Sequence, residues 1–320
     1  MSLDRREFLK LLSTSAIAVG TTPQWALYAK QALKDLNLPV IWLQGQSCSG
    51  CSVSILNTVK PNIAEVLTEV ISLKFHQTVM TGTGDVAIKV ADDVIKELDG
   101  DYVLVVEGSI PVGDTASAAT MGMKDGHHRT FESWVKKAAK DAKAILAVGT
   151  CAAYGGIPKA KGNETNAKSV SEVVKHKALI NIPGCPSHPD WIVGTIAHVL
   201  LYGIPALDDE SRPKVFFGNT IHEYCERRGF FDDGVFASDF SGAECLFELG
   251  CKGPIAHCDT SIRSWNNGVN WCVQAGSPCI GCTEPTFPDH DGEGLYATLD
   301  KQETMKIAKK VSKKPVKITV

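Results

Sequence analysis

The sequence predicts a doubly wound parallel α/β domain, flavodoxin-like in general type, followed by a small irregular domain organised by its cysteines. Short apolar segments alternate with amphipathic ones from residue 39 to about 203, the rhythm of a parallel sheet with crossover helices. The alternation breaks at Pro205, the acidic run 208–210 and Pro213. Beyond it, seven of the eleven cysteines fall between Cys225 and Cys282, among many glycines and with little periodicity. The expected divisions are a lead-in over 1–38, a flavodoxin-like domain over 39–204, a cluster-binding domain over 205–290 and a tail over 291–320.

The strands of the first domain are expected at PVIWL, VISLKF, YVLVV (102–106), AILAV (144–148) and LINI (179–182). Helices are expected over 85–98 and 131–142, where apolar residues recur at helical spacing. The stretch 114–126 is small and polar and reads as a surface connection, with His127 and His128 exposed near a helix start. A chain of 320 residues with 44% hydrophobic and 22% charged content can bury a large core. A formal charge of −3 offers no field for nucleic acid, and the one basic run, 306–317, reads as a solvated end.

At the N-terminus, LDRREFLK places Arg5 and Arg6 ahead of a modest apolar run over 11–19. This resembles a twin-arginine export signal, and the run is too short for a spanning helix. Twin-arginine substrates cross the membrane folded and loaded, so periplasmic location is compatible with many reduced thiols. No apolar anchor follows Pro288, so the expected location is the periplasm, either soluble or tethered through another subunit.

Each strand of an open parallel sheet delivers its following loop to one edge, where ligands gather. After the first strand comes QSCSGC with Cys48 and Cys51, after the fourth GTCAAYGG with Cys151, and after the fifth GCPSHP with Cys185. C-x-x-C alone also describes a thioredoxin-type pair, half a zinc site or a disulfide. One close pair plus two distant single cysteines suits a 4Fe-4S cube better than zinc, whose ligands more often come as two close pairs. Glu107, in VEGSIP, reaches the same edge as either a proton relay or a hydrogen-bonding clamp. His188 lies three residues from Cys185 and suits a supporting contact there.

The second domain supplies two more sets of four. His222 lies three residues before Cys225, and Cys245 and Cys251 complete one set; Cys258, Cys272, Cys279 and Cys282 form the other. Eleven cysteines and His222 make twelve donors with none left over, whereas a disulfide framework strands one thiol. Imidazole in place of thiolate makes its cluster one unit less negative and raises its potential. A zinc-stabilised, non-redox interaction protein is the competing reading, and it predicts colourless material.

QSCSGCSVS, VEGSIP, GTCAAYGG, GCPSHP, HEYCERRGFF, GCKGP and PCIGCTEPTFPD together resemble, in order, the motifs of the small, electron-transfer subunit of nickel-iron uptake hydrogenases. The resemblance runs from about 39 to 289. It implies that Cys48, Cys51, Cys151 and Cys185 hold a proximal cluster facing a large subunit, which alone carries the nickel-iron site. It implies a distal cluster at His222, Cys225, Cys245 and Cys251, and a medial one at Cys258, Cys272, Cys279 and Cys282. The expected assembly is a heterodimer, or a dimer of heterodimers, passing electrons from hydrogen to a cytochrome or membrane subunit. A complex I-type cluster subunit shares the first domain but has no use for the second.

Several positions depart from that pattern. Ser47 and Val53 stand where many relatives carry glutamates, and no extra cysteines surround Cys48 and Cys51 as in the oxygen-tolerant membrane enzymes. The spacing around Cys258 also differs from the family's. The medial set of relatives commonly has three cysteines and a proline, giving 3Fe-4S. Here Cys272 stands in the proline's place, which predicts three 4Fe-4S clusters; otherwise Cys272 is a free thiol packed near Trp271.

Overall fold

The computed structural model describes residues 38–290, 292–300, 302 and 304. The twin-arginine motif at Arg5 and Arg6 and the basic run 306–317 lie outside the described residues. Five parallel strands form the central sheet: β1 (Leu38–Gln44), β2 (Ile71–His76), β3 (Val103–Glu107), β4 (Ala144–Val148) and β5 (Leu179–Ile182). Their order, β2-β1-β3-β4-β5, is the flavodoxin-like one.

Alternate residues of each strand feed two cores, as a period of two requires. Trp42, Val105, Leu146 and Ile180 face one side, covered by α1 (Gly50–Ile55) and α5 (Pro189–Tyr202) through Ile55, Trp191 and Ile196. Ile41, Leu104, Val106 and Ile145 face the other, covered by α2 (Gly84–Leu98) and α3 (Phe131–Ala139) through Ala91, Trp134 and Ala138. The first core runs on into Phe217, Leu246, Trp271 and Cys279, so the cysteine-rich region packs on the sheet domain through continuous apolar contact.

That region contains only short helical turns, at Lys214–Phe217, Ile221–Tyr224, Arg228–Asp232, Phe247–Leu249 and Thr260–Arg263. Among the described residues no helix is long and apolar enough to cross a membrane.

The stretch 114–126 is more ordered than its composition suggests. It holds a 3-10 turn and then a β-hairpin, Thr120–Lys124 against His127–Thr130. The cause is Asp125-Gly126, both at positive φ (53° and 78°), the residue pair that a two-residue hairpin turn selects. His127 and His128 are exposed, as expected, and lie on a strand that runs directly into the start of α3 at Phe131. Arg129 fixes the hairpin, lying 3.5 Å over the Trp134 ring and pairing through both terminal nitrogens with Asp92 at 2.6 and 3.0 Å. Helix α3 ends at Ala139, three residues short of the expected 142.

Candidate iron-sulfur sites

Strand register sets the first site. Gln44 pairs with Glu107, Glu107 with Val148, and Val148 with Ile182, so the carboxyl ends of β1, β3, β4 and β5 are level. Cys48, Cys151 and Cys185 follow those ends by three or four residues, and the structure brings them together with Cys51 at one edge. Cys151 opens a short helix, α4 (Thr150–Tyr154). Two glycines permit the approach: a Cβ at Gly149 would come 2.5 Å from the Cys51 sulfur, and one at Gly156 2.8 Å from that of Cys151. Thr150 stitches the loops, its N–H donating to the Gly184 carbonyl at 3.0 Å while its hydroxyl accepts from Gly184 N–H at 2.8 Å.

Glu107 is fully enclosed at this edge. Its carboxylate accepts from Trp42 Nε1 (3.0 Å), Gln44 Nε2 (3.1 Å), Ser47 Oγ (3.2 Å) and the N–H groups of Cys51 and Ser52 (3.1 and 3.3 Å), and also from Ser52 Oγ. His76 Nδ1 accepts from Thr78 N–H, so its Nε2 carries the proton and donates to Ser52 Oγ at 3.0 Å. A carboxylate with that many donors is a clamp on the turn that carries Cys51.

His188 ties the loop after Cys185 to the cysteine-rich region. Its Nδ1 accepts from Asp190 N–H, capping α5, and its Nε2 donates to the Ser264 carbonyl at 3.0 Å.

The second set, His222, Cys225, Cys245 and Cys251, lines one cavity with Phe231 and Phe247. Ile221–Tyr224 is a 3-10 turn that ends at Cys225, so the three-residue spacing does bring His222 and Cys225 together. The third set is assembled by its loops: Cys282 feels the charges of Cys258 and Cys272, and Cys279 those of Cys251, Cys258 and Cys282. Cys279 also lines the second cavity, and its N–H donates to Cys251 Sγ at 3.3 Å. It therefore stands between the two sets.

The chemistry of these donors fits iron-sulfur clusters. All eleven thiols are free. His222 is buried, with its Nε2 unpartnered, and burial followed by the nearby Arg228 charge pulls its pKa down to about 4, so the ring is neutral. Burial pushes Cys151 and Cys245 up to about 11 and Cys225 and Cys258 up to about 12. For Cys51, burial and then the Glu107 carboxylate raise the thiol. As isolated groups these sulfurs are protonated at neutral pH; a cationic metal centre is what stabilises them as thiolates. Cys225, Cys245, Cys251, Cys258 and Cys279 each also receive a backbone N–H from the residue two positions on. Among the described residues no three His, Cys, Asp or Glu side chains stand close enough to share one metal ion.

Three supporting residues escape a reading based on cysteine spacing. Arg212 is buried and reaches Asp208 (2.7 Å), the Thr283 carbonyl (3.1 Å) and Glu284 (3.0 Å), while Glu284 also accepts from His257 N–H at 2.6 Å. That network ties the residues flanking Cys258 and Cys282. Lys252 is buried beside Cys251. Only the acidic residue after C-x-x-C-x was visible as a signal, because the partners are distant in sequence.

Comparison with known proteins places these sites in a family. Residues 217–293 match the model of the C-terminal part of the NiFe/NiFeSe hydrogenase small subunit, and 48–199 match that of the NADH ubiquinone oxidoreductase 20 Kd subunit. The periplasmic [NiFeSe] hydrogenase small subunit of Desulfomicrobium baculatum is 44% identical over 307 residues, covering 90% of this chain and 97% of that protein. The periplasmic [NiFe] hydrogenase small subunit of Solidesulfovibrio fructosivorans is 42% identical, covering 90% and 91%. The reduced, active form of the Ni-Fe-Se hydrogenase from Desulfomicrobium baculatum superimposes with a TM-score of 0.78 at 45% identity, covering 82% of this chain and 100% of that one. With the fold and the paired family matches in agreement, this chain belongs to the small, electron-transfer subunits of nickel-iron hydrogenases.

Proposed function

We propose that this protein passes single electrons from hydrogen oxidation in a large-subunit partner to an external acceptor, through three iron-sulfur clusters. Such clusters supply one-electron storage at potentials that the surrounding protein adjusts. Cys48, Cys51, Cys151 and Cys185 would hold the proximal one; Cys258, Cys272, Cys279 and Cys282 the medial; His222, Cys225, Cys245 and Cys251 the distal. Division into 39–204 and 205–290 follows the same logic, with the proximal donors in the first part and the rest in the second.

The observation that carries this reading is the continuity of the donor sets. The hydroxyl of Thr150, next to Cys151, donates to the Cys282 carbonyl, and Cys279 N–H donates to the Cys251 sulfur. One hydrogen bond thus spans each gap, in the order first, third, second, which is the order an electron wire needs. The residues' own work is to hold the sulfurs, exclude water around them and direct N–H groups at the thiolates. A complex I-type subunit shares the match over 48–199 but leaves the eight donors of the second domain without a use.

The chain's partners in this reading are the large subunit, with the nickel-iron site, and an acceptor such as a cytochrome or membrane subunit; export by the twin-arginine route takes it to the periplasm. Cys272 decides the medial cluster. It stands among Cys258 and Cys282, whose charges couple to it. Anaerobically prepared complex is expected to hold about 12 iron atoms per small subunit, by the four-donor rule for cubes. Its oxidised form should show no strong 3Fe-4S signal in electron paramagnetic resonance, and Cys272→Pro should create one. A strong signal in the unsubstituted complex, or a spectrum unchanged by Cys272→Pro, contradicts the assignment; colourless, iron-free protein contradicts the relay itself.

A further inference from the structure

Lys252 is a cation enclosed by the protein. Its side chain has no solvent exposure, and its Nζ donates to the carbonyls of Gly250, at 3.0 Å, and Ala297. Among the described residues it has no salt bridge to a carboxylate, although Arg212 nearby in the same domain has two. Carbonyl dipoles alone compensate a buried ammonium poorly, so a site retains one only where negative charge lies close.

The backbone shows where that charge is. Lys252 N–H donates to the Cys279 carbonyl at 2.6 Å, and Cys279 N–H returns to Cys251 Sγ at 3.3 Å. This reciprocal pair joins the second donor set to the third, and Lys252 lies on the joint. Its stem is fixed by the loop of the third set: a Cβ on Gly281, which is at φ +65°, would come 3.2 Å from the Lys252 Cβ and 3.3 Å from its Cγ. Cys251 belongs to the second donor set and Cys279 to the third, so the Lys252 backbone lies against both.

We propose that Lys252 is the shared cation of the distal and medial sites, a tuning residue whose ammonium holds both reduction potentials up together while leaving the proximal one nearly unaffected. The proposal rests on the reading that both sites hold iron-sulfur clusters. An added electron makes a cluster more negative, so a fixed positive charge beside it stabilises the reduced form. One charge between two sites raises both and changes their difference little. Electrons arriving from the proximal side then fall to two sites whose potentials are held up together.

Redox titration of the purified complex, followed by electron paramagnetic resonance, tests this with Lys252→Met. At a fixed potential the reduced-to-oxidised ratio of both distal and medial clusters is expected to fall at least tenfold, a shift of about 59 mV for a one-electron couple, with a smaller change at the proximal cluster. Unchanged distal and medial potentials in a variant with full iron content overturn the proposal, as does a shift confined to one of the two. If Lys252→Met does not load its iron, Lys252→Arg and Lys252→Gln replace it: potentials retained by Arg and lowered by Gln support the shared cation, and equal potentials overturn it. Iron content separates the two levels, because a complex without three clusters refutes the relay, whereas three clusters indifferent to the charge refute only the role of Lys252.

Discussion

At the scale of single residues, Glu107 shows how one side chain fixes a site that others occupy. Its carboxylate accepts six hydrogen bonds, from Trp42 and Gln44 of β1, from Ser47 and from Cys51 and Ser52 of α1. All six partners are donors, so the clamp needs an acceptor on every side. Glu107→Gln keeps the shape but points an NH2 group at some of those donors. The expected cost is about 1–3 kcal/mol, the range for leaving buried polar groups unmatched. It should appear as a lower unfolding temperature and weaker retention of proximal iron. A proton relay makes the opposite prediction, with stability kept and only proton-linked rates changed. The Ser52–His76 arm supports the clamp, since burial lowers the His76 pKa and leaves a neutral ring that donates into the network.

At the scale of elements, the Arg212–Glu284 pair does for the medial loops what Glu107 does for the proximal turn. Burial alone would raise the Glu284 pKa, but hydrogen bonds from His257 and the charge of Arg212 hold it below the ordinary carboxylate value of 4.5. A carboxyl group whose folded pKa is depressed contributes stability above its unfolded pKa, and that contribution is lost as pH falls through the lower folded value. Glu284→Gln should therefore be less stable than the parent at neutral pH, by up to about 3–5 kcal/mol for a broken buried pair. The gap should close as both are acidified from neutral pH down through the depressed folded value of Glu284, below 4.5, and denaturant unfolding across that range measures it. A gap independent of pH would mean that charge is not what Glu284 contributes. These clamps also mark where the sequence stops being legible. All five strands could be read from apolar runs, and the meeting of Cys48, Cys151 and Cys185 from the rule that parallel strands share a carboxyl edge. The tie from Arg212 to Glu284 could not, because the two are 72 residues apart and an isolated arginine has no periodicity. The hairpin at Asp125-Gly126 was available as a turn signal, but the small, polar residues around it hid two exposed strands.

At the scale of the whole molecule, the proximal edge is a surface that the chain does not finish. Cys48 is exposed, and around it Val53 is 57% exposed, Leu56 52% and, after Cys151, Ile157 57%. Large apolar side chains grouped around a thiolate site mark a protein contact rather than a solvent face. An electron donor must also approach this edge closely, so the large subunit is the occupant that satisfies both requirements. The twin-arginine motif at Arg5 and Arg6 then concerns two chains, because that route carries folded complexes and a bound partner travels with the signal. Changing both arginines to lysine should leave small and large subunits together in the cytosol. Leu56→Asp places a charge in the apolar contact and should uncouple them, so that the small subunit is exported while most of the large subunit stays behind. Cell fractionation with detection of both chains reads the two experiments. Full periplasmic recovery of the large subunit with Leu56→Asp would move the contact elsewhere on the molecule, and normal export of the double-lysine variant would refute the signal.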